Sequence, residues 1–285
     1  MKKFILGNIS IICVICLIAC MAGGFAFAAG VGASGVYEPV SMYFNGIKIA
    51  DGIKVEDTTY IPLRTFFDVI GDQTDIAWDK KSNTVTVSGE GLEMSATAGS
   101  LYMTANNRCF YLPGSVLVID GALCLPIREL AKIYQLEVDW DEELSSVILW
   151  ADDPAPLESG DLYYSAEDLY WLSRLINAES GNQSLDGKIG VGNVVLNRVA
   201  DPTCPDSIYS VIFDNRYGVQ FSVTETGGIY AEPNEESVAA AKMCLEGYDI
   251  VGNAIYFVNP ELGISSWFTQ TRTFVAAIGD HNFYA

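Results

Sequence analysis

The chain has 285 residues, a formal net charge of −20 and a hydrophobic content of 50%. That length holds two domains of ordinary size, and the apolar content excludes a disordered chain. Acid exceeds base in both halves, 17 to 8 over residues 36–151 and 16 to 6 over 161–285, which excludes the basic footprint of a nucleic-acid binder and bulk attraction to an anionic membrane or wall polymer.

Residues 1–28 read as an export signal: Lys2 and Lys3, an apolar run from Phe4, and a small-x-small cleavage pattern at Ala26-Phe27-Ala28. Two other fates stay open, lipid attachment at Cys20 in "LIAC" and retention as an N-terminal anchor. All three place the folded part outside the cytoplasm, secreted or in the cell envelope. Cys109, Cys124, Cys204 and Cys244 remain after cleavage, two per half and with no CxxC spacing, so a zinc knuckle is not expected. Pairing within each half and four unpaired buried thiols are the alternatives.

Beyond the signal, the first half repeats itself. "IPLRTFFDVIGDQTDIAWDKKSNTVTV" (61–87) aligns with "LPIRELAKIYQLEVDWDEELSSVIL" (125–149), so that Pro62 answers to Pro126, Arg64 to Arg128, and Trp78-Asp79 to Trp140-Asp141. Each unit predicts a short strand running into Pro-x-Arg, a helix, then a hairpin turning near Trp-Asp. "MYFNGIKI" and "CFYLPGSVLVIDGALCLPI" add strands. The duplicated P-[LI]-R…W-D…V-x-[VL] pattern resembles the copper amine oxidase N-terminal-like domain, over about residues 36–151. No copper is expected, because this half has no histidine and copper sites want imidazole or soft sulfur ligands. A wall-targeting module and a passive spacer are the two readings of it.

Residues 152–162 form a Pro- and acid-rich linker. After it the pattern turns helical. Ser165 and Asp168 predict a capping box for a helix running to about Ser180. A second helix is expected over about 186–199, with Gly190 and Gly192 permitting close contact, and a third from Asn234 to Gly247. The last forty residues predict strands and loops rich in aromatic residues.

Elimination narrows the chemistry. His281 is the one histidine, and HExxH, GxSxG and a Walker loop are absent, which argues against zinc peptidases, nucleophile-elbow hydrolases and nucleotide chemistry. A Cys–His pairing of His281 with Cys204 or Cys244 is weak, since Cys244 lies mid-helix in "AAKMCLEG". Carboxylate chemistry survives, with Glu179 the best-placed candidate. It falls on the helical face of Leu172 and Ile176, near a helix C-terminus. Desolvation and the negative end of the dipole both disfavour the anion and predict a raised pKa, as a general acid for glycosidic cleavage needs. The bland alternative turns Glu179 to solvent at a frayed helix end.

"LSRLINAESGN…GKIGVGNVVLNRV", "QFS", "AIYFVNP" and "IGDHNFY", in that order over 163–285, resemble the SleB-type cell wall hydrolases, the spore cortex-lytic enzyme family. The resemblance implies a lysozyme-like, mainly helical fold, hence an α+β protein overall. It also implies peptidoglycan as partner, no cofactor, and lytic transglycosylase cleavage between N-acetylmuramic acid and N-acetylglucosamine. The glutamate of the family's A-E motif maps onto Glu179. Gln220, Ser222, Tyr256 and Asn259 are candidate sugar-binding residues. Glu225 is the reserve second carboxylate if the enzyme hydrolyses instead, and a non-catalytic wall-binding protein is the alternative from another class. Trp267 and His281 are expected to pack, and Asn197-Arg198 to make a helix-end salt bridge.

Overall fold

A computed structural model describes residues 37–71, 73–262 and 266–285, with the backbone alone at 262, 266 and 267. The signal segment with Cys20, and the side chain of Trp267, lie outside that description.

Turn chemistry sets the first hairpin. Strands β1 (Glu38–Phe44) and β2 (Ile47–Val55) meet at Asn45-Gly46, both at positive φ, 49° and 80°. A two-residue hairpin needs that backbone, and Asn-Gly adopts it with little strain. Strand β3 (Thr58–Pro62) then runs straight into α1 (Leu63–Ile70), with Pro62 as N-cap and Gly71 closing the helix at φ 77°. The first Trp-Asp turn joins β4 (Asp75–Asp79) to β5 (Thr84–Gly89). A meander follows through β6 (Leu92–Thr97), β7 (Tyr102–Ala105) and β8 (Arg108–Tyr111).

After β9 (Leu117–Ile119) the unit recurs: β10 (Ala122–Pro126), α2 (Ile127–Ala131), β11 (Glu137–Asp141) and β12 (Ser146–Trp150). The two copies share one register, Trp78 facing Val85 in the first hairpin and Trp140 facing Val147 in the second. Their hairpins nevertheless enter different sheets. Strands β4 to β8 form a five-stranded meander, while the other sheet runs β11-β12-β1-β2-β3-β10-β9, with β1 and β12 parallel. Both sheets and both helices contribute to one core, in which Phe66, Phe67 and Tyr134 meet at 5.5–6.2 Å between ring centroids.

The second half packs helices. A short α3 (Gly160–Tyr163) leads to α4 (Ala166–Ser180), α5 (Leu185–Ala200), α6 (Ile208–Ile212), α7 (Val223–Thr226) and α8 (Glu235–Leu245). Helices α4, α5 and α8 pack around Leu172, Leu175, Ile176, Ile189, Ala240 and Met243. The chain ends in β13 (Tyr256–Val258), α9 (Ser266–Thr271), β14 (Phe274–Ile278) and β15 (His281–Tyr284), the strands ordered β13-β15-β14. The glycines of α5 permit this packing: a Cβ at Gly190 would stand 2.6 Å from the Phe283 ring, and one at Gly192 2.6 Å from Cys244 Sγ. The molecule is α+β, with sheets in the first half and helices dominating the second.

The halves dock through β8 and α8. Arg108 Nε and Nη2 donate to the two carboxylate oxygens of Glu246 at 2.7 and 2.5 Å, and the Tyr164 hydroxyl donates to the same group. Tyr111 stacks on Tyr248 at 4.0 Å, and Lys242 Nζ donates to the Asn107 carbonyl at 2.7 Å. Cys109 joins the helical core, so apolar burial accompanies the polar contacts.

Candidate active site

Local sequence puts Glu179 in place. The Ser165 hydroxyl accepts from the Asp168 N–H and starts α4, and the stripe Leu172, Leu175 and Ile176 is fully buried. Continuation of that stripe carries Glu179 to the inner side of the last turn, half-buried. Among the described residues its carboxyl has neither a hydrogen-bond donor nor an ion-pair partner. Burial raises its pKa above the ordinary carboxylate value, because removal from water disfavours the charged form. The carbonyl end of the helix adds to that bias.

The turn beside Glu179 is held from two sides. Asn177 Oδ1 accepts from the Asn234 N–H at 3.1 Å and the Ser237 hydroxyl at 3.3 Å, while Asn234 Nδ2 donates to the Gly181 carbonyl at 3.3 Å. These bonds staple the end of α4 to the start of α8. Lys188, almost wholly buried, donates to the Gln183 carbonyl at 2.5 Å and to Glu236 at 2.6 Å. Gln183 also exchanges two hydrogen bonds with Asp280 in the β14–β15 turn, at 2.8 and 3.1 Å. Sequence reasoning singled out none of Asn177, Gln183, Lys188 and Asn234 as site-supporting residues. Their signal was a lysine inside the apolar pattern of α5 and an asparagine two residues before the acid.

The other candidates fall on two segments that meet. Phe221, flanked by Gln220 and Ser222, lies 6.2 Å from Phe257 between ring centroids, and Phe257 is flanked by Tyr256. Arg198 holds both segments, with its guanidinium 5.2 Å from the Phe221 ring and 5.5 Å from that of Tyr256. The helix-end salt bridge expected for Arg198 is absent among the described residues. Its Nε instead donates to the Ile255 carbonyl at 2.7 Å, and Asn197 Nδ2 donates to the carbonyls of Gly252 and Ala254 at 2.6 and 2.9 Å. Arg198 is buried, and burial lowers its pKa; a buried cation is tolerable there because the Ile255 carbonyl and two aromatic faces solvate it.

Gln220 is exposed and donates to the Gly218 carbonyl at 2.8 Å. Ser222 is exposed at the start of α7, and Glu225 is exposed on α7 itself, which packs against α4. The Tyr256 hydroxyl accepts from Arg272 at 3.3 Å, and Asn259 Oδ1 accepts from the Glu261 N–H at 2.9 Å. None of the four sugar-binding candidates has a described hydrogen bond to Glu179.

Cysteine and histidine take packing positions. All four described cysteines are unpaired thiols, so neither half is bridged. Cys244 is buried between α5 and α8, donates to the Ile189 carbonyl at 3.5 Å, and has its pKa pushed up by burial. A protonated, enclosed thiol is no nucleophile. His281 is buried 5.1 Å from the Phe257 ring, and burial lowers its pKa despite nearby Asp280. Among the described residues no group of three or more His, Cys, Asp or Glu side chains gathers to hold a metal.

Fold and site together define a helical domain that offers one desolvated carboxylic acid on a clamped turn. Residues 182–284 match the family model described as Cell Wall Hydrolase, and residues 43–149 match that of the Copper amine oxidase N-terminal domain. Spore cortex-lytic enzymes are similar to the chain: that of Bacillus cereus is 34% identical over 120 residues, 42% of this chain and 45% of the relative. The Oceanobacillus iheyensis enzyme is 32% identical over 120 residues, 42% of each. The chain thus spans less than half the length of these relatives. The solved catalytic domain of the germination-specific lytic transglycosylase SleB from Bacillus anthracis is 34% identical, over 43% of this chain and 97% of that one, with a TM-score of 0.39. The C-terminal domain thus matches the cell wall hydrolase family over residues 182–284. The family match begins just past Glu179, so the choice of acid rests on the sequence motif and the geometry.

Proposed function

We propose that this protein is an exported peptidoglycan-cleaving enzyme, a lytic transglycosylase that cuts between N-acetylmuramic acid and N-acetylglucosamine. Residues 1–28 serve as export signal, 36–151 as accessory domain and 163–285 as catalytic domain. The observation that carries this reading is the half-buried Glu179, without a partner among the described residues and with a raised pKa, in a chain similar to spore cortex-lytic enzymes.

The Glu179 carboxyl, its pKa raised by burial, donates its proton to the glycosidic oxygen as the bond breaks. The muramic acetamide assists at the anomeric carbon. The Glu179 carboxylate so formed then takes the proton of the muramic 6-hydroxyl, whose oxygen closes a 1,6-anhydro ring, and the acid is restored. No water is consumed, so one carboxyl suffices where ordinary glycosidases use two. The stapled turn contributes by holding the acid in register with the bond. Gln220, Ser222, Tyr256 and Asn259 serve as the sugar-facing groups of the adjoining segments.

Mass spectrometry of fragments from peptidoglycan treated with the protein or with Glu179→Gln tests this. Anhydro-muramic ends from the parent and none from the variant are expected. Reducing ends lost in the variant would make the enzyme a hydrolase and bring Glu225 forward. Wall binding without turnover in either would refute the enzymatic reading.

A further inference from the structure

The duplicated Pro-x-Arg…Trp-Asp motif has no part in the chemistry above, yet its second copy builds a site. A cavity of about 430 Å³ opens in the N-terminal domain, lined by Pro126, Arg128 and Trp140 of that copy and by none of Pro62, Arg64 and Trp78 of the first. The volume falls within the roughly 300–1,000 Å³ typical of ligand sites. Trp140, Pro126 and Val138 give it apolar lining, and the β2–β3 hairpin adds polar lining through Lys54, Thr58 and Thr59. Lys54 lies directly across the ladder from Thr59.

These polar groups are unengaged. Among the described residues the half-buried side chains of Lys54, Thr58 and Thr59 bond to no protein group. Arg128 makes one long bond, 3.4 Å to the Val138 carbonyl. Half-buried donors left without protein partners beside an indole face fit a ligand that offers both hydroxyls and apolar patches. The charge narrows its chemistry. Asp57, Glu129 and Asp139 also line the cavity and the whole chain carries −20, which opposes a polyanion such as teichoic acid. An N-acetylated sugar, uncharged and bearing acetamide methyls and hydroxyls, matches both kinds of lining.

We infer that this cavity is a second, non-catalytic binding site for N-acetylated glycan, with Trp140 as stacking surface and Lys54, Arg128 and Thr59 as donors. The choice of peptidoglycan as the polymer rests on the function proposed above. Because β8 and α8 lock the halves together, a strand held here keeps the catalytic turn close to its substrate, and two linked sites gain avidity over either alone.

The test uses the full chain carrying Glu179→Gln, so that glycan is bound and not consumed. Titration calorimetry with the N-acetylglucosamine tetramer reads sites per chain, and sedimentation with purified peptidoglycan reads wall affinity. Trp140→Ala should remove one tetramer site and weaken wall binding about tenfold. Lys54→Ala/Arg128→Ala, which leaves the apolar lining intact, should do the same with an unchanged circular dichroism spectrum. In the Glu179 parent, the same substitutions should leave turnover of a short soluble glycan unchanged. Unaltered tetramer and wall binding by a folded Lys54→Ala/Arg128→Ala variant would overturn the site, as would competition by peptide stems or teichoic acid alone. Cleavage by Glu179→Gln equal to the parent's would instead refute the catalytic reading and leave the cavity to be judged on its binding data.

Discussion

Replacing Glu179 by Gln should stabilise the protein at neutral pH and abolish turnover, since one property of the site causes both. Folding moves this carboxyl out of water and gives it no described donor, so its folded pKa lies above the ordinary value of 4.5. Between those two values the native state holds a proton that the unfolded chain has lost. The free energy of unfolding therefore falls as pH rises through that window. A desolvated group without a partner costs about 1–3 kcal/mol, and half-burial places Glu179 at the lower end, about 1 kcal/mol. Gln keeps the shape and carries no charge. Urea denaturation across pH should show the variant more stable by about 1 kcal/mol at pH ~8 and equal to the parent near pH ~3, where the carboxyl is protonated in both states. The same raised pKa sets the alkaline limb of activity, with kcat falling as Glu179 loses its proton. Equal stability of parent and variant at every pH, or a less stable variant at pH ~8, would show that the carboxylate is not penalised and would remove the physical basis for the acid.

At the junction of the two halves, Glu246→Leu strands the Arg108 guanidinium, whose side chain is 13% exposed. A loss of about 3–5 kcal/mol is expected, and Arg108→Met/Glu246→Leu should recover most of it; a double-mutant cycle in chemical denaturation measures both. Asn177→Ala leaves the Asn234 N–H and the Ser237 hydroxyl without their acceptor. It should cost about 1–2 kcal/mol and lower kcat with little change in KM, in steady-state assays on soluble glycan. Gly192→Ala drives a methyl to 2.6 Å from Cys244 Sγ and should destabilise by about 1–3 kcal/mol, read from the shift of the thermal midpoint.

Much of this protein was legible before any coordinates. Ser165, Ser184 and Asn234 each cap a helix, and such caps depend on a few neighbouring residues. The expected helices over 165–180, 186–199 and 234–247 accordingly appear with ends displaced by a residue or two. The Trp-Asp repeats turn where expected because each hairpin register is set by its own turn and alternation. Glu179 stood out because the helical period alone carried it onto the buried face.

Contacts between residues far apart in sequence were decided by the tertiary structure. Two Trp-Asp hairpins of matching register enter different sheets, since sheet membership depends on which edge is open when the core closes. Arg198 donates to the Ile255 carbonyl and lies against two aromatic rings where an ion pair was expected, because its partners arrive from residues 221 and 255–256. Cys109 and Cys124 stay apart, as one joins the helical core and the other packs beside Tyr60. Sequence by itself determined the local elements and the placing of Glu179 on the inner side of its helix, through interactions spanning a few residues. The clamp on the acid, the docking of β8 on α8 and the cavity under Trp140 came only with the fold, because each joins groups that chain closure alone brings together.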